Sequence, residues 1–237
     1  MAPVTDYYSP SNIYAVAPFL PFPPKWLVLG GPADAREAQT AADLWPGIDV
    51  VGVEPNPEAV EWQRAVGGWR EEWPLLDYAL TDESTGSVLM AFEPGGLRNA
   101  SVAPDLVRTK PGAIKVLVGT TTLDVVEAVY GPFEDAVVWL DVEGSELRAL
   151  RGASKLLASG RVLALNVEML SHVPGMMDEL PALLAANGYQ AVAEWNYSDT
   201  CRDRVFLRAD LAERSPLHGK IGEYRRSPDE PLLRLLP

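Results

Sequence analysis

From Trp26 onward, short apolar runs alternate with longer amphipathic stretches, and this alternation limits what the chain can fold into more than any other feature. Short Val-, Leu- and Ala-rich runs read as strands covered on both faces, and the amphipathic stretches as the helices that cover them. That rhythm is the signature of βαβ units and a parallel sheet. Strands are expected at 26–29, 49–54, 75–80, 136–141, 161–168, 190–195 and 205–208. Helices are expected at 33–44, 57–66, 123–129, 145–158 and 176–187. Pro57 suits a first helical turn, and Asn187-Gly188 suits a helix stop. Two further strands, 87–92 and 114–119, break the rhythm, and a long loop at 93–112 separates them.

The ends read differently. Residues 1–25 contain six prolines and the aromatics Tyr7, Tyr8, Tyr14, Phe19 and Phe22. Proline fixes φ and removes a donor, so this is an extended arm, either packed on the domain or covering a ligand pocket. It lacks the cationic start and apolar core of a signal peptide. The main domain is expected over 26–210. Residues 211–237, with Pro216, Pro228, Pro231 and Pro237, read as an irregular tail.

Charge narrows the partners. The 237-residue chain carries a formal charge of −13. A field of that sign repels phosphate backbones, whose binding depends on Lys and Arg releasing counterions. The densest basic cluster is only Arg225-Arg226, so no nucleic-acid partner is expected. No run approaches the ~20 apolar residues that span a bilayer, so no membrane partner is expected. One cysteine, Cys201, forbids an internal disulfide and suits a reducing, cytoplasmic setting. Oligomeric state is left open.

Three segments carry chemistry. In Trp26-Leu-Val-Leu-Gly30-Gly31-Pro-Ala-Asp34-Ala-Arg-Glu37, a strand enters a helix through two glycines; such turns admit a close ligand or simply turn tightly. In Val53-Glu54-Pro55-Asn56-Pro57, an acid stands at the tip of the second strand, about 20 residues past the turn, where a carboxylate suits ribose hydroxyls. An NAD-dependent dehydrogenase shares this pair, so the pair does not choose the cofactor. In Leu140-Asp141-Val142-Glu143-Gly144-Ser145-Glu146, three carboxylates crowd one strand-to-helix turn, which calls for a cation, donors or solvent. Glu146 in a first helical turn is accounted for by the helix dipole. Asp141, Asn166 and Glu168 are oxygen ligands of a kind that suits magnesium, but Asn166 and Glu168 share one strand face and serve equally as structure; no metal is expected. His172 reads as a loop histidine, and Trp62, Trp69 and Trp73 as a satellite core.

The third segment, continued by Leu150-Arg151-Gly152 and Leu156-Leu157, closely resembles the hallmark segment of FkbM-family methyltransferases. Thr121-Thr-Leu-Asp124, Val53 to Pro57, and Ala79-Leu-Thr-Asp82 with Gly86 resemble further elements of that family. Asn99 and Ser101 fall at a small polar patch, and Val167-Glu168 at a strand that closes on glutamate. The resemblance spans about residues 26–195 in order. It implies a Rossmann-like class I methyltransferase: α/β, a mostly parallel seven-stranded central sheet flanked by helices, with an extra strand pair and loop around 87–119. It also implies S-adenosylmethionine as cofactor and a hydroxyl of a small molecule or sugar as acceptor. Gly30 and Gly31 would then lie under the methionine part. Glu54, with Pro55, would hold the ribose, and Asn56 would flank the adenosine. Ala79, Leu80 and Asp82 would line the adenine, and Asp141 would stand at the methyl-transfer mouth. Two positions depart from the family: Val28 replaces an acid before the glycine turn, and Asp34 replaces a glycine within it. The change removes a partner for the cofactor's amino group, a role open to Asp34.

Methyl transfer to an alcohol needs alignment and a base. Asp141 or Glu143 is expected to be that base, with Glu168 next. A dinucleotide-dependent oxidoreductase explains the glycine turn and Glu54 but not residues 141–146. A non-catalytic binding module is the other alternative, since one scaffold hosts many functions.

Overall fold

A computed structural model describes residues 16–95, 100–102, 112–215, 222–224 and 232–235. The strands are β1 (Trp26–Gly30), β2 (Asp49–Val53), β3 (Leu75–Leu76), β4 (Ala79–Leu80), β5 (Ser87–Phe92), β6 (Ile114–Thr121), β7 (Ala136–Leu140), β8 (Val162–Leu170), β9 (Tyr189–Asn196), β10 (Cys201–Arg208), β11 (Gly222–Tyr224) and β12 (Leu232–Leu235). The helices are α1 (Arg36–Leu44), α2 (Pro57–Ala65), α3 (Leu123–Tyr130), α4 (Glu146–Arg151), α5 (Ser154–Ala158), α6 (Glu179–Ala186) and α7 (Ala209–Ala212).

The main sheet runs β11-β12-β9-β10-β8-β7-β1-β2-β3. Its central seven strands, β9 to β3, are the expected mostly parallel sheet: β10 alone opposes its neighbours. The fully buried run of β7, Ala136 to Leu140, explains its central place, because a strand with helices on both faces has no polar side. One core cluster packs α3, α4, α5 and α6 on one face, around Leu123, Leu150, Leu156 and Leu180. The other packs α1 and the end of the arm, where Phe19 meets Trp195 edge-on at 6.1 Å. Trp69 and Trp73 join that second cluster and meet edge-on at 5.7 Å, whereas Trp62 is exposed, so the three do not form a satellite core of their own.

Four expectations are corrected. The single strand at 75–80 is two, because β4 leaves the main sheet to pair with β6, which also pairs with β5. The helix at 145–158 breaks at Gly152, where a Cβ would come 2.2 Å from the Thr81 carbonyl oxygen. The Asp124 carboxylate accepts from the amides of Lys155 and Leu156 and starts α5 afresh. The helix at 33–44 begins only at Arg36, because the turn through Pro32 to Ala35 closes the cleft described below. The tail is not wholly irregular: β11 and β12 add to the sheet edge, where short proline-flanked strands are tolerated. Tyr7, Tyr8, Tyr14, Asn99 and much of the 93–112 loop lie outside the described residues.

Candidate active site

Strand order sets the location of the site. From β1 the chain runs outward to β2 and β3 on one side, while β7 and β8 lie on the other, so β1 marks the switch point. Gly30, Val53 and Leu140 are in register across β1, β2 and β7. The ladder continues one residue further, with Gly31 N–H donating to Val53 O at 2.9 Å and Asp141 N–H to Gly30 O at 3.0 Å. Gly31, Glu54 and Asp141 therefore form one row of strand tips. Glu54 and Asp141 stand two strand spacings apart, about 10 Å.

Gly31 is at φ +77°, and a Cβ there would fall 1.8 Å from the Asp141 carbonyl oxygen. A side chain would push β1 and β7 apart at the point where the tips must align. The close approach that demands glycine is thus to the neighbouring strand.

A cleft of about 460 Å³ opens above this row. Gly30, Gly31, Asp34, Glu54, Pro55, Ala79, Leu80, Asp141 and Glu143, all singled out in the sequence, line it together. Three others do not. Asn56 is fully buried, and its Oδ1 accepts from Glu58 N–H at 3.1 Å to cap α2. Asp82 points to the surface and pairs with Arg148 at 2.9 Å. Glu168 lies behind Asp141, and its Oε1 accepts from the Cys201 thiol at 3.2 Å. His172 is exposed and is not part of the lining.

The tips differ in setting. Glu54 is only 3% exposed, and its Oε1 accepts from Asn56 N–H at 2.8 Å. Burial pushes it up to about 8, against the pull of that hydrogen bond, and the charges of Asp141 and Glu143 add to the rise. Asp141 opens onto the cleft but is walled by protein on its other sides. Burial raises it to about 6, and a hydrogen bond from Glu168 holds it down. Burial and then the charge of Asp141 raise Glu168 to about 10, so at neutral pH Glu168 carries a proton. Asp203, paired with Glu168 across β8 and β10, rises to about 7 through burial and the Asp141 charge, although Tyr197 donates to it at 2.8 Å.

The loop 141–146 is shaped from beneath. Glu146 is fully buried, and its Oε1 accepts from Val142 N–H at 2.9 Å and Gly144 N–H at 3.1 Å. Glu146 thus does more than complement a helix dipole: it folds the loop that carries Glu143, which sits at φ +52°. Ser101 closes the far side by donating to Glu143 O at 2.7 Å.

Sequence reading gave no site role to several lining residues, among them Glu37, Asp43 and Trp139. Glu37 stands three residues past Asp34 in the first turn of α1, and that helical spacing was the available signal. Among the described residues, no group of His, Cys, Asp and Glu is arranged to hold a metal ion, and no helix is long and apolar enough to cross a membrane.

The sequence matches the Methyltransferase FkbM domain over residues 31–191, two thirds of the chain. The chain belongs to the FkbM methyltransferase family. Its cofactor is accordingly S-adenosylmethionine. No curated protein matches the chain. Among solved structures, this FkbM methyltransferase is similar to a TehB-like SAM-dependent methyltransferase from Corynebacterium glutamicum, at 10% identity over 82% of this chain and 85% of that one, TM-score 0.42. It is similar to precorrin-6y C5,15-methyltransferase from Geobacter metallireducens, at 10% identity over 82% and 86%, TM-score 0.41. It is also similar to the Methanococcus jannaschii fibrillarin pre-rRNA processing protein, at 14% identity over 78% and 66%, TM-score 0.46. These are likenesses of fold alone.

The lining fits that cofactor. Six carboxylates face the cleft, from Asp34, Glu37, Asp43, Glu54, Asp141 and Glu143. The one basic residue among the described lining, Arg36, is held by Asp34 at 3.0 Å. A sulfonium and an ammonium are attracted by such a wall, and a pyrophosphate is repelled.

Proposed function

We propose that this methyltransferase transfers a methyl group to a hydroxyl oxygen of a small molecule or sugar. The observation that carries the reading is the shared row of strand tips: Glu54 and Asp141 face one acid-walled cleft from either side of the glycine turn. When bound, S-adenosylmethionine supplies a methyl carrying the electrophilic character of a sulfonium. Gly30 and Gly31 would underlie its methionine portion, Glu54 and Pro55 would face its ribose, and Ala79 and Leu80 would border its base.

Asp141 is the residue we assign to proton removal. Its carboxylate opens onto the cleft and, at about 6, is ionised at neutral pH yet basic enough to accept a proton as the hydroxyl is methylated. Glu168, protonated behind it, donates a hydrogen bond and keeps the acid pair from repelling itself apart. Glu143 is better read as part of the wall. The acidic lining and the net charge of −13 favour a neutral or cationic acceptor over nucleic acid.

The reading is tested with methyl-labelled S-adenosylmethionine offered alongside a panel of sugars and phenols, and separately alongside total RNA. Label in alkali-stable methyl ethers of the small-molecule fraction is expected. Label in RNA alone would overturn the acceptor class.

A further inference from the structure

We propose that Glu37 is the residue that binds the amino group of the cofactor's methionine tail, an inference that rests on the cofactor reading above. Val28, at the position where the family carries an acid, is fully buried in the core and faces no ligand. Asp34, the substitute suggested by the sequence, is engaged elsewhere. Its Oδ1 accepts from Arg36 Nε at 3.0 Å and from Arg36 N–H at 3.1 Å, and a second guanidinium nitrogen reaches Oδ2 at 3.0 Å. An ammonium would have to compete with a guanidinium already in place.

Glu37 has no such partner. It lies in the first turn of α1, lines the same cleft as Gly30 and Gly31, and makes no salt bridge among the described residues. Its own backbone N–H bonds to its carboxylate, and burial drives it up to about 7. A desolvated carboxylate facing other carboxylates gains most from a cation brought to it. The ammonium is the group that meets this need while leaving the sulfonium to the Asp141 side.

The test is isothermal titration with two probes, S-adenosylhomocysteine and 5′-methylthioadenosine. They share the adenosyl thioether, and only the first has the amino acid tail. Glu37→Gln is expected to weaken S-adenosylhomocysteine at least about tenfold, about 1.4 kcal/mol. Its affinity for 5′-methylthioadenosine should stay within about twofold, which also reports that the variant is folded. Asp34→Asn should weaken S-adenosylhomocysteine less than Glu37→Gln does. Equal loss on both probes, no loss on either, or a larger effect of Asp34→Asn overturns the assignment. A wild-type protein that binds neither probe defeats the cofactor reading itself, which separates the two failures.

Discussion

The β2 tip and the β7 tip are built from the same element, a buried strand ending in an acid, yet they present that acid in opposite ways. Glu54 is closed in, 3% exposed, and tied to the backbone of the next turn. Asp141 is open to the cleft and backed by a second carboxyl that carries a proton. A carboxylate that grips hydroxyls needs a fixed orientation, which the Asn56 amide supplies. One that accepts a proton needs a path to the acceptor and a tuned affinity for that proton, which the opening and Glu168 supply.

The sharpest way to break this comparison is to remove each tip. Glu54→Ala is expected to weaken S-adenosylhomocysteine at least about tenfold, since the acid is mainly protonated at pH 7 and hydrogen bonds between neutral groups contribute about 0.5–1.5 kcal/mol each. Asp141→Asn is expected to change that affinity by less than about tenfold, while slowing transfer by about 10²–10⁴. Titration calorimetry and single-turnover transfer measure the two quantities. Equal losses of binding in both variants would erase the division of labour.

A second test takes away the support of the β7 tip. Glu168→Gln keeps a hydrogen-bond donor beside Asp141, whereas Glu168→Leu does not. Without the donor, burial alone acts on Asp141, and its pKa should rise above about 6. Carboxyl ¹³C chemical shifts followed against pH report this directly. An Asp141 midpoint that is the same in both variants would show that Glu168 does not act on it.

How far each tip could be read in advance follows from the same difference. Gly30-Gly31, Glu54 and Asp141 are legible because strand tips are local: an apolar run, a turn and an acid are contiguous in the chain. The seven-stranded order was likewise implied by a local resemblance that the register bears out. Glu37 was only partly legible: its spacing from Asp34 suggests a shared helical face, but which face of α1 turns to the cleft is fixed by the turn through Pro32. Asn56 shows the reverse: the tripeptide around it looks like a ligand loop, and only its burial shows that its side chain caps the start of α2. The break of β3 from β4 depended on β6, about 40 residues away, which no local pattern announces.

Both tips belong to an acidic set with raised pKa values whose protons can be followed through stability. Glu37, Glu54, Asp141, Glu146, Glu168 and Asp203 all have folded-state pKa values raised above their ordinary ones. The folded chain therefore holds more protons than the unfolded chain across that interval. Their contribution to stability is full below about pH 4 and is lost as pH rises through about 6 to 10. The ligand-free protein should melt at progressively lower temperature from pH 6 to pH 9, and saturating S-adenosylmethionine should flatten that decline by placing positive charge in the cleft. A melting temperature that climbs over the same range would contradict the protonation states assigned to the tips.

The smallest effect is expected beneath the β7 tip. Glu146 holds the loop through Oε1 alone, while its Oε2 is buried without a partner, and burial pushes the group up to about 8. At pH 7 it is mainly a neutral acid accepting two amide hydrogen bonds, and a glutamine offers the same acceptor with nearly the same shape. Glu146→Gln should therefore change stability by less than about 1 kcal/mol and leave S-adenosylhomocysteine affinity intact. Glu146→Ala strands both amides and opens a void, which costs about 2–4 kcal/mol by chemical denaturation. If Glu146→Gln instead weakened the cofactor as much as Glu54→Ala, the charge of Glu146 would be reaching into the cleft, and the β7 tip would be a binding element like its neighbour.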